Sequence, residues 1–402
     1  MALMPVAEAL SRVLAGAEPL PSENAPLRQA QGRVLTEDVK ALRTQPPADV
    51  SAMDGYAVRA ADLAQTPATL KLIGEVAAGH PFEGTVGAGE AARIFTGGVM
   101  PAGADTVVIQ EVTTRKGDTV TINKPASFGR NVRLRGIDFS EGAVLLHKGQ
   151  RLSGRDVMLA AAMNYPTLPV HRRPRVAVLG TGDELVPPGS KPGPGEIVYS
   201  NGFALMAMAE SEGAEVLDLG IAPDRLSDIA RAVWGARQWA ADILLTTGGA
   251  SVGEHDLVQK ALAAEGLNLD FWRVALRPGR PMMHGRLGAM QVLGVPGNPV
   301  SAYVCAFLFL VPLIRRLAGR ADIERVPEPA RLGCDLKAND EREDYLRATL
   351  SAGPDGPVAT PLPNQDSSLM APLSAADCLL IRPAHAPAAP AGSPCVILKL
   401  GL

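Results

Sequence analysis

Aromatic side chains are scarce in this chain: Phe, Trp and Tyr together make up 4% of its 402 residues. A surface that stacks bases needs several such rings side by side. A formal net charge of −3 offers no basic footprint for a phosphate backbone either, so nucleic acid is not an expected partner. Cysteine is equally sparse. Cys305, Cys334, Cys378 and Cys395 show no CxxC spacing and no histidine partner nearby in the sequence. They read as buried free thiols in a reducing compartment, not as zinc ligands or a disulfide framework. Long apolar runs are missing as well. The most apolar stretch, Val300 to Ile314, is shorter than the roughly 20 residues a spanning helix needs, and Pro312 interrupts it. The first ten residues lack a basic segment and include Glu8, so no secretory signal is expected. The expectation is a soluble, cytoplasmic protein with no membrane partner. No Ser-His-Asp or Cys-His pattern is present, and His80 and His284 have no partner at metal-ligand spacing. Covalent catalysis is not indicated; positioning and electrostatic stabilisation are.

What the chain does have is punctuation. Its 34 prolines and 41 glycines separate periodic segments without forming a low-complexity tract, and hydrophobic residues reach 47%, a globular composition. At about 100–200 residues per domain, two to four domains are expected. Val6, Ala9, Leu10, Val13 and Leu14 follow helical spacing, and Arg28 to Val39 reads as a short extended segment. Beyond Pro46-Pro47 the pattern turns to short strands. One hairpin is expected to run from Val107–Thr114 through Arg115-Lys-Gly-Asp118 into Thr119–Ile122. Ser153 and Asp156 form a capping-box pair ahead of an Ala-rich helix, whose small apolar face is expected to pair with the first helix. After Pro174, near-continuous apolar strands alternate with helices, which argues for a doubly wound parallel sheet. The expected fold is multidomain α/β plus β. A helical linker module covers 1–45 and 140–173, and an inserted β domain covers 46–139. A central α/β domain spans 174–320, and a small barrel-like β domain spans 321–402.

In an open α/β sheet, ligands bind beyond the carboxyl ends of the strands. Four consecutive strand ends carry glycine together with polar groups: Gly180-Thr-Gly-Asp-Glu184, Gly220-Ile-Ala-Pro-Asp224, Thr246–Asp256 and Gly294-Val-Pro-Gly-Asn-Pro299. In the third, Gly248, Gly249 and Gly253 let backbone N–H groups approach an anion, and Thr246, Thr247 and Ser251 add hydroxyl donors. The acids Asp183, Glu184, Asp224, Glu254 and Asp256 share that rim. Each is open to a plain reading as a helix-capping or first-turn acid, worth about 1 kcal/mol. As a group beside a phosphate cradle they point to a divalent cation. Two like charges about 4 Å apart repel by roughly 4 kcal/mol at an effective dielectric near 20, and an oxygen-loving ion relieves this. Arg273, Arg277 and Arg280 read either as a solvated strand closed by a proline turn or as a cationic clamp for an oxyanion.

These segments resemble a known family. Thr247-Gly-Gly-Ala-Ser-Val-Gly-Glu-His-Asp256, Gly180-Thr-Gly-Asp-Glu-Leu185, Arg277-Pro-Gly-Arg-Pro281 and Gly294-Val-Pro-Gly-Asn-Pro-Val-Ser301 are similar to the molybdopterin-binding domain of MoeA-type molybdopterin molybdenumtransferases, the family that includes the E domain of gephyrin. Ser51-Ala-Met-Asp-Gly-Tyr-Ala57, Arg93-Ile-Phe-Thr-Gly-Gly98, Gly103–Glu111 and Arg135-Gly-Ile-Asp138 resemble the same family's β domain. The resemblance runs in order along essentially the whole chain. It implies an enzyme that takes adenylylated molybdopterin and molybdate with Mg²⁺, releases AMP and leaves molybdenum on the dithiolene. It further implies a homodimer with shared sites and a molybdopterin adenylyltransferase as upstream partner.

On that resemblance Asp54, Thr96 and Asp138 act across the dimer, together with Glu184, Asp224 and Asp256. Asp183, Glu184, Asp224 and Asp256 are the implied metal ligands. Gly180, Thr181, Gly182, Thr247, Gly248, Gly249, Ser251, Gly253, Arg273, Arg277, Arg280, Pro296, Gly297, Asn298 and Ser301 are the implied cofactor contacts. The chain departs from the family pattern in carrying arginines where lysines are common at 273, 277 and 280. Asp366 likewise stands where Gly is usual, within a Gln365-Asp-Ser-Ser368 segment that, with Arg342 and Arg347, resembles the site-facing part of the C-terminal domain. Two other functions stay open at this stage: adenylylation of molybdopterin by ATP on the same α/β fold, and a non-catalytic carrier or scaffold.

Overall fold

A computed structural model describes residues 3–248 and 257–401. The chain divides into two compact units: Met1–Glu23, Gly32–Val34 and Val170–Leu402 form one, and Asn24–Gln31 with Leu35–Pro169 form the other.

The smaller unit is built on a six-stranded sheet. Its order is Thr106–Ile109, Gly55–Val58, Glu90–Ile94, Ala68–Val76, Thr119–Ile122, Thr113–Lys116. Alternate residues of one strand feed two cores. Tyr56 and Val58 pack with Leu63, Leu70, Val108 and Val120, while Ala57 packs with Val76, Ala92, Ile94 and Val107. Period-2 side-chain alternation makes this possible. The hairpin around Gly117-Asp118 is present but shorter than its sequence pattern suggested. Thr113–Lys116 pairs with Thr119–Ile122, whereas Thr106–Ile109 pairs with Gly55–Val58. A 3₁₀ turn at Gln110–Val112 separates the two. The extended reading of 28–39 is also corrected: Leu27–Ala30 is a single helical turn, and the strand there is only Val39–Lys40.

Helix Gly154–Ala162 opens on the expected capping box. The Ser153 backbone N–H donates to Asp156 Oδ2 at 2.7 Å, and the Asp156 N–H donates to Ser153 Oγ at 3.4 Å. Its packing partner is the Leu27–Ala30 turn. The first helix, Val6–Leu14, packs elsewhere: Ala9 and Val13 are fully buried against Leu313 and Ile314 in the α/β core. Both helices carry a short apolar stripe, so sequence alone did not distinguish their partners.

In the larger unit, Glu215–Ala222, Arg175–Thr181, Ile243–Thr247 and Met290–Val295 lie side by side as parallel strands. Val176, Val178, Leu245 and Leu293 enter one core; Ala177, Leu179, Leu244 and Val292 enter the other. Helices cover both faces, which makes the sheet doubly wound. Met283–Leu287 and Asn268–Trp272 extend it antiparallel, so the sheet is mixed.

Helix Pro299–Leu317 is long and apolar enough to cross a membrane, yet 83% of it is buried inside the protein. It continues past Pro312 through a π-helical stretch at Ala306–Leu310, a local widening that removes the need for proline's missing N–H. The C-terminal strands Glu343–Gly353, Gly356–Pro361, Glu328–Leu332, Pro394–Lys399 and Cys378–Arg382 pair in that order and close back on the first as a five-stranded barrel. All four cysteines are free; Cys305 and Cys378 are buried, and Cys334 and Cys395 are half-buried.

Candidate active site at the strand ends

The four parallel strands terminate at Thr181, Ala222, Thr247 and Val295, so their following loops share one rim. The glycines there are sterically required. Gly248 has φ +93°, and a side chain on it would run into the Thr181 carbonyl. Gly182, at φ +146°, would collide with the Glu184 carboxylate. The ring of Tyr199 lies 2.5 Å from where a Gly180 side chain would begin. These close approaches bring Gly180, Thr181, Gly182, Gly248 and Gly297 together, the last with its Cβ position 3.7 Å from the Gly248 Cα. Thr181 and Thr247 are buried at 2% exposure, and the Thr181 hydroxyl has no partner among the described residues. A buried hydroxyl without a partner costs roughly 1–3 kcal/mol, which a ligand oxygen would relieve.

A cavity of about 500 Å³ sits over this cradle, with Thr181, Glu184, Asn201, Thr247, Gly248 and Asn298 in its lining. Ser200, Asn201, Pro299 and Met370 also line a larger, more apolar cavity of about 770 Å³. Pro296 and Gly297 form the adjacent loop through hydrogen bonds from Thr247 Oγ1 (3.4 Å, to the Pro296 carbonyl) and Asn201 Nδ2 (2.7 Å, to the Gly297 carbonyl). Ser301 is buried in the first turn of the following helix.

Asp183 and Asp224 meet at this rim: the Asp224 N–H donates to Asp183 Oδ1 at 3.1 Å. Burial, reinforced by the charges of Asp183 and Glu184, raises the Asp224 carboxyl above its ordinary range. Among the described residues, no three carboxylate, imidazole or thiol groups stand close enough to enclose an ion. The fourth acid of the expected set, Asp256, lies outside the described residues, as do Gly249, Ser251, Gly253, Glu254 and His255.

The three arginines part company. The Arg277 guanidinium donates to Asp340 (2.8 Å), to Asn339 (2.8 Å) and to Asp344. Its charge is therefore matched by two carboxylates of the barrel domain. Arg273 adopts φ +88° and lies over the Trp272 ring, 5.1 Å from its centroid, with Nε buried and without a partner among the described residues. Arg280 is exposed. As a clamp for an oxyanion, the set thus has Arg273 and Arg280 in different settings from Arg277.

Sequence reasoning missed several residues at this rim. Asn201 bridges two strand-end loops, and Tyr199 underlies Gly180 and Gly202. The Ser200-Asn201 pair at a helix entrance on the same rim was the available signal. Arg347, which the resemblance had already singled out, is only 1% exposed and anchors the segment 364–369 by donating to Gln365 Oε1 and to the carbonyls of Asp366 and Leu369. That segment meets the strand ends where Asn298 Nδ2 donates to Ser367 Oγ at 2.8 Å.

Within the smaller unit, Asp54 and Thr96 come together. The Thr96 N–H and Oγ1 both donate to Asp54 Oδ1 at 2.7 Å, the backbone bond first among the causes that hold the Asp54 carboxyl below its ordinary range. Arg93 lies over the rings of Tyr56 and Phe95, 5.1 and 4.8 Å from their centroids. Asp138 occupies a separate exposed turn, with its N–H on the Gln45 carbonyl at 3.2 Å.

Three family models match the chain: the MoeA N-terminal region (domains I and II) over residues 4–164, a probable molybdopterin binding domain over 177–316, and the MoeA C-terminal region (domain IV) over 329–400. The chain is 38% identical to a molybdopterin molybdenumtransferase of Nostoc over 329 residues, 80% of this chain and 75% of that one. It is 36% identical to the Haemophilus influenzae molybdopterin molybdenumtransferase over 331 residues, 82% and 81% of the two chains. Among solved structures it is similar to the molybdopterin biosynthesis MoeA protein of Pyrococcus horikosii. There the TM-score is 0.83 and the identity 30%, over the full length of both chains.

Proposed function

The chain belongs to the molybdopterin molybdenumtransferase family, enzymes of molybdenum cofactor biosynthesis, and we propose that it inserts molybdate into adenylylated molybdopterin with Mg²⁺-dependent release of AMP. The observation that carries this reading is the strand-end rim. A glycine cradle with a buried Thr181 hydroxyl that has no partner among the described residues lies beside the Asp183–Asp224 pair. Backbone N–H groups and hydroxyls suit a phosphate, and carboxylate oxygens suit a hard divalent cation.

On this reading Gly180, Thr181, Gly182, Thr247 and Gly248 bind and orient the phosphate end of the substrate, with Gly249, Ser251 and Gly253 continuing the same turn in sequence. Asp183, Glu184, Asp224 and Asp256 would hold Mg²⁺, whose role when bound is to neutralise charge between carboxylates and pyrophosphate. The raised Asp224 carboxyl fits that assignment, because a cation compensates both the burial and the like-charge crowding that raise it. Arg273 and Arg280 supply positive charge for molybdate, with Arg277 held in place by Asp340 and Asp344. The protein acts as a homodimer in the cytoplasm, and Asp54, Thr96 and Asp138 of one subunit complete the site of the other. A molybdopterin adenylyltransferase supplies the substrate.

The test is direct. Purified protein given adenylylated molybdopterin, molybdate and Mg²⁺ should release AMP and yield molybdenum cofactor, and omission of Mg²⁺ should stop it. Production of adenylylated molybdopterin from molybdopterin and ATP by the chain alone would instead assign it the preceding step.

A further inference from the structure

We propose that Asn201 is a positioning residue that sets the width of the phosphate cradle by tying two strand-end loops to the start of a third element. Asn201 is the first residue of helix Asn201–Ser211. Its Nδ2 donates to Thr247 Oγ1 at 3.0 Å and to the Gly297 carbonyl at 2.7 Å. The carbonyl can only accept, so the orientation of the side-chain amide is fixed by its partner. Thr247 closes its strand immediately before Gly248, and Gly297 belongs to the loop after Met290–Val295.

These two loops touch: the Cβ position of Gly297 lies 3.7 Å from the Gly248 Cα, with only glycine at either side of the contact. Glycine on both sides of that contact puts no side chain there to hold the separation. The Thr247 Oγ1 bond to the Pro296 carbonyl, at 3.4 Å, is long. Among the described residues, the short side-chain bonds that span the gap come from Asn201, which stands on a helix packed into the core through Leu205 and Ala209. A further link runs on from the same loop, through Asn298 to Ser367. Asn201 therefore ties the cradle, at a contact where neither loop has a side chain, to a helix seated in the core, and does so without supplying the phosphate contacts itself. Supporting hydrogen bonds of this kind hold binding groups within about 0.5 Å of their working geometry, and misplacement by about 1 Å can cost about 100-fold in rate.

The inference rests on the reading of the strand ends as the substrate site, and its test separates the two. Amide hydrogen exchange in the ligand-free protein should accelerate in peptides covering both 245–248 and 294–298 in Asn201→Ala and in Asn201→Asp. The second variant keeps the shape but places an acceptor against the Gly297 carbonyl. Unchanged exchange in both peptides overturns the inference even if no molybdenum transfer is ever detected. With an active wild type, both variants should raise KM for adenylylated molybdopterin about 10- to 100-fold while KM for molybdate stays put. A raised KM without faster exchange in either peptide would instead make Asn201 a direct ligand contact and sink its role as a brace.

Discussion

Asp224 shows how a single residue at the rim can trade stability for function. Its carboxyl is raised by burial first and then by the charges of Asp183 and Glu184, against an opposing hydrogen bond from the Asp183 backbone. A carboxyl whose folded pKa exceeds its unfolded value is destabilising when ionised, and the penalty is relieved as pH falls through the raised value. Asp224→Asn should therefore raise the metal-free Tm at pH 7 and narrow that advantage at acid pH. Mg²⁺ should reverse the order by stabilising the wild type more than the variant, since a ligand stabilises only the state that binds it. Thermal melts with and without Mg²⁺ read both effects. A Tm for Asp224→Asn below wild type in the absence of metal would mean that this carboxylate stabilises the rim. Equal Mg²⁺ shifts in the two proteins would remove Asp224 from the metal site. The glycines and hydroxyls at 180–184 and 247–248 were legible in the sequence, because abrupt change from apolar to small polar residues has one common structural cause at a buried strand end. Asn201 was not, since an asparagine at a helix entrance usually caps it, and nothing local reveals a bond to residues 46 and 96 positions away.

At the level of elements, the strands and helices of the α/β region follow their hydrophobic periodicity closely, and the misses lie where partners are chosen at long range. The apolar helix Pro299–Leu317 was visible as a run of residues. The charges that fasten its C-terminal end were not. Glu212, at the close of helix Asn201–Ser211, accepts from Arg315 at 2.7 and 2.8 Å, from Arg320 at 2.7 Å and from Arg325 at 3.2 Å. Arg315, Arg320 and Glu212 are all buried. Burial works to raise the Glu212 carboxyl, but the Arg315 hydrogen bond and the charges of all three arginines more than offset it, so the net direction is down. Removing one side of such a group leaves buried charge unmatched, at a cost of about 3–5 kcal/mol. Glu212→Gln should lower Tm sharply at pH 7. Because the folded carboxyl sits below its unfolded value, its contribution is full above the ordinary carboxylate range and fades as pH falls through the depressed value. The gap between wild type and variant should therefore close in acid. A gap that stays constant down to the acid limit would show that packing, not charge, carries the loss.

At the scale of the whole molecule, the two units carry different parts of the proposed machinery. The larger unit holds the glycine cradle and the Asp183–Asp224 pair; the smaller holds Asp54, locked by two hydrogen bonds from Thr96. A half-buried carboxylate held that firmly, with its pKa depressed, stays ionised at any working pH and is ready to meet a cation or a proton-bearing group. On the homodimer reading, the Asp54 of one subunit serves the strand ends of the other, and this arrangement makes a quantitative prediction. Asp54→Asn and Asp224→Asn should each abolish AMP release on their own. In a dimer that pairs one of each, one site lacks both acids and the other is intact. Random pairing of equal amounts makes half the dimers mixed, so roughly one quarter of all sites should regain activity. Co-expression with two different affinity tags, followed by tandem purification, isolates the mixed dimer, in which half the sites should work. Sedimentation of the same preparation reports whether it is a dimer at all. If the mixed species is dimeric yet as inactive as its parents, Asp54 acts within its own subunit or not at the strand ends, and the shared-site arrangement is wrong while the cradle assignment stands.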